Sequence, residues 1–461
     1  MMKNWQSKRV LIIGAARQGL ALAQYLVAKG AKVTLNDLRT EQEMQAVITS
    51  TQGLEVDWFL GGHPLNLLEQ KDMVCISGGV PLNNPLVATA LDRGLPLSND
   101  SQIFLEQVAS PVIGITGSAG KTTTTTLVGR MADAMVQLPQ RAWVGGNIGT
   151  PLVDRLDEIQ ADDLVVLELS SFQLEIMTLS PQVAAVLNLT PNHLDRHGTM
   201  EAYRAAKARI LDFQTSMGVA VLNREDPGSW GLASIVNGRL ATFGVQRPGP
   251  SLMGTFIEDL WLCWQDPTKT ERIMPVDQVT LRGSHNLANV LAACAIGLAA
   301  GFSREAVQAG VRGFSGVAHR LEFVRTWNGA QWYNDSLATA PERSRAAICA
   351  FDEPIVLLLG GRDKNLSWDE LASLVKKRVD HLIVFGEATQ IILKAMGEHE
   401  SEQRPYSIAQ CTGLEDAVRA ASKVVENGDV VLFSPGGTSF DEFIDFEERG
   451  EAYRSWVNRL Q

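Results

Sequence analysis

The stretch GITGSAGKTTTTTL, residues 114–127, constrains the fold more than any other part of the chain. It follows an apolar run, turns on glycines, and then presents a lysine and a threonine before helical spacing resumes from Leu127 to Met131. A strand that feeds a glycine loop and then a helix aims backbone amides and the positive end of the helix dipole at an anion. The register is Gly117, Ser118, Ala119, Gly120, Lys121, Thr122 and Thr123, a TGxxGKT loop shorter than the common GxxxxGK[ST] form. Read this way, amides at the helix start hold phosphates, Lys121 neutralises the β and γ oxygens, and the Thr122 hydroxyl binds magnesium. The threonines that follow favour strand and cap conformations more than helix, yet helical spacing resumes from Leu127 to Met131.

Such a loop implies an α/β protein, and 461 residues exceed what one core supports. Three domains are expected: a Rossmann-like N-terminal domain at 1–110, a central P-loop ATPase-type domain at 111–313, and a C-terminal Rossmann-like α/β domain at 314–461. Residues 8–37 read as one βαβ unit ending in an acidic residue. Its glycines, Gly14 and Gly19, lack the middle glycine of GxGxxG, which leaves a dinucleotide turn and a ligand-free tight turn both open. Residues 215–283 read as short strands and turns, and 285–300 as a buried helix.

A net charge of -11 without clustered Lys and Arg excludes a nucleic-acid footprint. Five cysteines without CxxC spacing argue against disulfides or zinc and for a reducing cytoplasm. No signal peptide is read at the start, and no apolar stretch is long enough for a membrane span.

Three further residues carry chemistry. Glu168 ends the apolar run LVVLE, where an acidic partner for a phosphate-bound magnesium belongs; a solvated or capping glutamate is the alternative. His193 lies in the loop PNHLDRHG, where surface polarity is the alternative. Lys207 shares a helical stripe with Tyr203, Ala206, Ile210 and Leu211, while Arg204 and Arg209 diverge. A core-facing lysine implies a shifted pKa or a chemical modification, unless its stem snorkels and its amine stays in water.

Taken in order, TGSAGKTTTT, LELSSFQLE, NLTPNHLDRHGTMEAYRAAKARI, HNLANVLAA, AHRLE, NDSLAT and SPGGTSFDEFIDFEERGEAYR make nearly the whole chain resemble the Mur ligases of peptidoglycan synthesis. LELSSFQLE and SFDEFIDFEERG look like the member that adds D-glutamate to UDP-N-acetylmuramoyl-L-alanine. The resemblance implies one domain each for the UDP-sugar, ATP and glutamate, and ligation through an acyl phosphate in a cytoplasmic monomer. It further implies that Lys121, His193 and Lys207 are catalytic. Thr122 and Glu168 hold a first magnesium, while His193 and a carbamylated Lys207 serve a second. Asn286, Asn289, Arg320 and Asp335 match positions around the nucleotide. Asp37 and Arg39 match the UDP site, Asn147 a substrate position, and Thr339, Lys364, Ser439 and Phe446 the glutamate pocket.

The chain departs from the family pattern at Leu337 and Ala340 of NDSLATA, where lysine and asparagine are usual, at SPGGTS for SPACAS, at Gly78 for proline and at Ala119 for asparagine. The first of these keeps an L-glutamate-adding ligase as an alternative. A folylpolyglutamate-type ligase fits the central domain but not the N-terminal one. A nucleotide-regulated binding protein would need the P-loop but not Lys207 and His193.

Overall fold

A computed structural model describes residues 4–364, 366–398 and 403–461. Apolar runs such as RVLII, VIGIT and IVLLLG are buried almost throughout, as strands covered on both faces must be. They build three sheets.

The first sheet holds β1 (Arg9–Ile13), β2 (Lys32–Asp37), β3 (Val56–Leu60), β4 (Met73–Ile76) and β5 (Leu97–Ser98), all parallel, in the order β3-β2-β1-β4-β5. Gly14 adopts φ +94°, and a Cβ on Gly19 would lie 2.0 Å from the Gly14 carbonyl oxygen. Close packing of the Arg17–Ala28 helix on β1 is therefore enough to require both glycines, with or without a ligand.

The second sheet comprises β6 (Val112–Thr116), β7 (Ala142–Gly146), β8 (Leu164–Glu168), β9 (Val183–Val186), β10 (Val219–Asn223), β11 (Arg239–Phe243), β12 (Met253–Glu258), β13 (Trp261–Gln265) and β14 (Thr270–Pro275). Its order is β14-β13-β12-β11-β10-β9-β6-β8-β7, so the chain leaves β6 to one side for β8 and to the other for β9. Strands β6 to β12 run parallel to their neighbours, and β12, β13 and β14 form an antiparallel meander. The expected short strands of 215–283 are thus the extended half of this sheet.

The phosphate-loop helix spans Lys121–Met135, and the threonines, against their local preference, form its first turns. Thr124 and Thr125 are buried, and Thr126 Oγ1 donates to the Thr122 carbonyl at 2.8 Å, so tertiary burial and back-bonding override weak helix propensity. The Ser284–Ala299 helix packs on this helix and on β10, β11 and β12, which explains its apolar character. No helix among the described residues is long and apolar enough to cross a membrane.

The third sheet, β15 (Glu322–Trp327), β16 (Ala330–Asn334), β17 (Ile355–Gly360), β18 (Val379–Phe385), β19 (Ser407–Cys411) and β20 (Val430–Gly436), has the order β15-β16-β20-β17-β18-β19. Only β15 is antiparallel to its neighbour, and apolar side chains cover both faces. The described residues up to 280, with 284–314, form one compact unit that carries the first two sheets; 281–283 and the described residues from 315 onward form a second.

Candidate active site

In a parallel sheet every strand delivers its following loop to the same edge, and ligands bind where neighbouring connections diverge. In the second sheet that point is β6, and the carboxyl ends of β6, β7, β8 and β9 present the phosphate loop, Asn147, Glu168 and Asn188 there.

Gly120 caps the helix in the left-handed region at φ +81°, and a Cβ on it would lie 2.1 Å from Asn289 Oδ1. Asn289 in turn donates to Asn286 Oδ1 at 3.3 Å, so both expected nucleotide asparagines stand beside the loop. The amides of Lys121, Thr122 and Thr123, in the first helical turn, have no intrahelical acceptor by construction and constitute an anion site. Lys121 Nζ donates to the Gly117 carbonyl at 2.9 Å. Ser118 and Ala119 are held differently: their amides donate to Asn188 O at 2.9 Å and Asn188 Oδ1 at 2.8 Å, and Ser118 Oγ lies 2.9 Å from Tyr203 Oη.

Glu168, buried, accepts from Thr122 Oγ1 on one oxygen and from Asn147 Nδ2 on the other, each at 2.9 Å. A carboxylate from the end of β8, a hydroxyl from the helix after β6 and an amide from the loop after β7 thereby meet. This donor set suits a hard divalent ion, which takes oxygen ligands and keeps phosphate oxygens and waters among them. Among the described residues no three His, Cys, Asp or Glu side chains converge, and Thr122 and Glu168 are the residues whose oxygens would hold a first metal ion.

Lys207 lies on the Met200–Asp212 helix and is 1% exposed, which rules out the snorkelling alternative. Its Nζ donates to Thr116 Oγ1 at 3.1 Å and to the Gly117 carbonyl at 3.0 Å, the carbonyl that Lys121 also uses. Burial first, and the Lys121 charge second, push its pKa well below the ordinary value, against an opposing pull from Glu168. Position 193 adopts φ +52°, and its imidazole packs edge-on to Phe172 with centroids 5.1 Å apart. Phe172 also stacks on His197 at 5.2 Å and carries the Arg196 guanidinium at 4.5 Å, and Arg196 donates to the Gly79 carbonyl of the first domain at 3.0 Å.

In the first domain Asp37 and Arg39 pair with one another, Nη2 to Oδ2 at 2.7 Å, at the carboxyl end of β2. The Arg39 hydrogen bond, joined by the backbone amides of Arg39 and Ala15, lowers the Asp37 pKa to about 2.

The second unit carries the remaining candidates. Asp335 follows β16, and its carboxylate accepts from Ser434 Oγ at 2.7 Å and from the Leu321 amide at 3.1 Å; burial raises its pKa to about 7, opposed in part by Arg320. Lys364 Nζ donates to Thr339 Oγ1 at 3.3 Å, and burial with the nearby Arg343 lowers its pKa. Ser439 is buried, and the Phe446 carbonyl accepts from Ser336 Oγ at 2.8 Å. Arg449, which sequence reasoning missed, is fully buried and donates to Ser336 O at 2.8 Å and Gly437 O at 3.1 Å. Set in the acidic run DFEERGEAYR, it reads as a solvated residue. Asn188 was also missed; the available signal was an Asn directly after the apolar run VAAVL at a strand's carboxyl end.

A P-loop on the central sheet of a chain that also builds two further α/β sheets, one before it and one after it in sequence, defines the class of protein. The Mur ligase MurD-like N-terminal domain matches residues 8–98, the Mur ligase middle domain 115–297 and the Mur ligase glutamate ligase domain 319–437. The chain belongs to the Mur ligase family. It is 37% identical over 456 residues to the UDP-N-acetylmuramoylalanine--D-glutamate ligase of Koribacter versatilis, covering 99% of this chain and 98% of that one. To the protein of the same name in Geotalea uraniireducens it is 38% identical over 456 residues, covering 98% of each. Among solved structures, the UDP-N-acetylmuramoylalanyl-D-glutamyl-2,6-diaminopimelate--D-alanyl-D-alanyl ligase of Acinetobacter baumannii shares the fold with a TM-score of 0.57 at 18% identity, over 100% of this chain and 92% of that one. The UDP-N-acetylmuramate-alanine ligase of Thermotoga maritima does so at 0.55 and 19%, over 98% and 99%.

Proposed function

We propose that this chain is an ATP-dependent ligase that joins the amine of D-glutamate to the L-alanyl carboxyl of UDP-N-acetylmuramoyl-L-alanine in peptidoglycan precursor synthesis. The observation that carries it is the meeting of Thr122, Glu168 and Asn147 at the phosphate loop, in a chain matched over its length by relatives named for D-glutamate addition.

A carboxylate resists attack by an amine because oxide would have to leave. ATP supplies the phosphoryl group that turns the carboxylate into an acyl phosphate, and magnesium tempers the charge that builds up during the transfer. The amine then forms the C–N bond while the C–O bond to phosphate breaks and the amine proton is lost. In this reading Gly117, Ser118, Ala119, Gly120, Lys121, Thr122 and Thr123 cradle the phosphates, with Asn286, Asn289, Arg320 and Asp335 on the nucleotide. Thr122 and Glu168 hold the first ion. Asp37 and Arg39 take the UDP portion, Asn147 the muramoyl-alanine end, and Thr339, Lys364, Ser439 and Phe446 the glutamate.

Lys207 is assigned as a carbamate. Its pKa is lowered by burial, which favours the neutral amine; the nitrogen lone pair bonds to the carbon of carbon dioxide and a proton departs, giving a carbamate whose oxygens, with His193, would hold a second magnesium. The chain is assigned to the cytoplasm as a monomer, in keeping with five free cysteines. The experiment is phosphate release from ATP with UDP-N-acetylmuramoyl-L-alanine and each glutamate enantiomer in turn. Turnover with the D form is expected; turnover with the L form alone, or none with either, overturns the reading.

A further inference from the structure

We infer that Asn188 is a positioning residue for the nucleotide, because it sets the direction of the Gly120 N–H. The inference rests on the ATP-binding reading of the loop and adds a residue to it. Asn188 stands at the carboxyl end of β9, 69 residues from Ala119, and grips both sides of it: Oδ1 accepts from the Ala119 amide at 2.8 Å and Nδ2 donates to the Ala119 carbonyl at 3.1 Å. Its own carbonyl accepts the Ser118 amide at 2.9 Å. Three successive peptide planes of the loop, 117–118, 118–119 and 119–120, are thus fixed from one residue.

The consequence follows from peptide geometry. In a trans peptide the C=O and the next N–H point in opposite directions. With the Ala119 oxygen turned toward Asn188, the Gly120 N–H of the same peptide faces away from Asn188. It joins the first-turn amides of the Lys121–Met135 helix as a donor to the phosphates. Gly120, at φ +81°, occupies a torsion that glycine leaves and enters readily, so the 119–120 peptide needs an external hold. Ala119 has no side chain able to supply one. The Ser118 side is anchored separately, through Oγ to the Thr190 carbonyl and Tyr203 Oη, both at 2.9 Å. Loss of Asn188 therefore releases the Ala119–Gly120 peptide while Ser118 keeps its side-chain anchor.

The test is Asn188→Leu, close in volume and without hydrogen bonds, alongside Asn188→Gln. Calorimetry gives the Kd of ADP with magnesium, and steady-state kinetics give KM for ATP and for UDP-N-acetylmuramoyl-L-alanine. For Asn188→Leu, ADP Kd and the ATP KM are expected to rise about tenfold, with the UDP-substrate KM and the thermal midpoint little changed. Asn188→Gln, which keeps the amide, is expected to recover part of the loss and gives the same readout if the leucine variant does not fold. ADP affinity equal to wild type in folded Asn188→Leu overturns the inference, as does an Asn188→Gln variant that binds ADP no better than Asn188→Leu. So does an equal rise in both KM values, because that marks a merely structural role. Failure of the wild-type protein to bind ADP would instead overturn the ATP reading itself.

Discussion

Lys207→Met tests whether the buried amine is neutral, the condition on which its modification depends. Burial and Lys121 hold the amine well below its ordinary value of 10.5 in the folded chain. Between the folded pKa and 10.5 the unfolded chain binds one more proton than the folded chain, so this group makes stability rise with pH across that window. The slope is about 1.4 kcal/mol per pH unit, or about 2 kcal/mol between pH 8.5 and 10. Methionine is similar in length and does not titrate, so the variant loses this component and keeps every other. It also leaves Thr116 Oγ1 without its Lys207 donor and Gly117 O with Lys121 alone, an offset of about 1–3 kcal/mol that does not vary with pH. The assay is urea denaturation of both proteins, in buffer freed of carbon dioxide, at half-unit steps across that range. Wild type should gain about 2 kcal/mol on the variant as pH rises. Parallel slopes would mean that the amine carries its proton in the folded state, and the carbamate reading would fall with that result.

Lys121→Ala should reduce kcat/KM about a hundredfold or more with a circular dichroism spectrum like that of wild type, since Lys121 opens its helix next to the loop and alanine keeps the helix propensity; near-normal turnover would refute its phosphate role. Glu168→Gln keeps the size of the side chain and removes its charge, so the magnesium concentration for half-maximal phosphate release should rise about tenfold, and excess EDTA should stop wild-type turnover altogether. An unchanged magnesium requirement would remove Glu168 from the metal site. Asp335, raised to about 7 by burial, holds an extra proton in the folded chain between pH 3.8 and about 7, so its contribution to stability is lost as pH rises through that window. Asp335→Asn should therefore gain on wild type by about 1.4 kcal/mol per pH unit between pH 4 and 7, read by urea midpoints, and a constant difference would contradict the raised value.

Much of the site was legible because it is local. The strand, glycine turn and helix around Lys121 follow from torsional freedom and periodicity within a dozen residues. The apolar stripe that carries Lys207 was legible from its i, i+3, i+4 neighbours, but only the structure excluded a snorkelling amine. The helical state of the threonines after Thr122 was not legible, because the packing of the whole helix on β7, β8 and the Ser284–Ala299 helix outweighs their local preference. Asn188 and Arg449 escaped notice because nothing near them in sequence reveals their partners, which lie 69 and 113 residues away.

The sequence by itself determined an α/β chain with a glycine loop between a strand and a helix, a carboxylate at the end of a buried strand, and a lysine on an apolar helical stripe. Tertiary structure alone decided that Glu168 meets Thr122 across 46 residues and Asn147 across 21, and that Lys207 and Lys121 share one carbonyl. The physical reason is the parallel sheet: strand order and register bring distant strand ends to one edge, and the dry interior behind that edge sets which charges its side chains can bear.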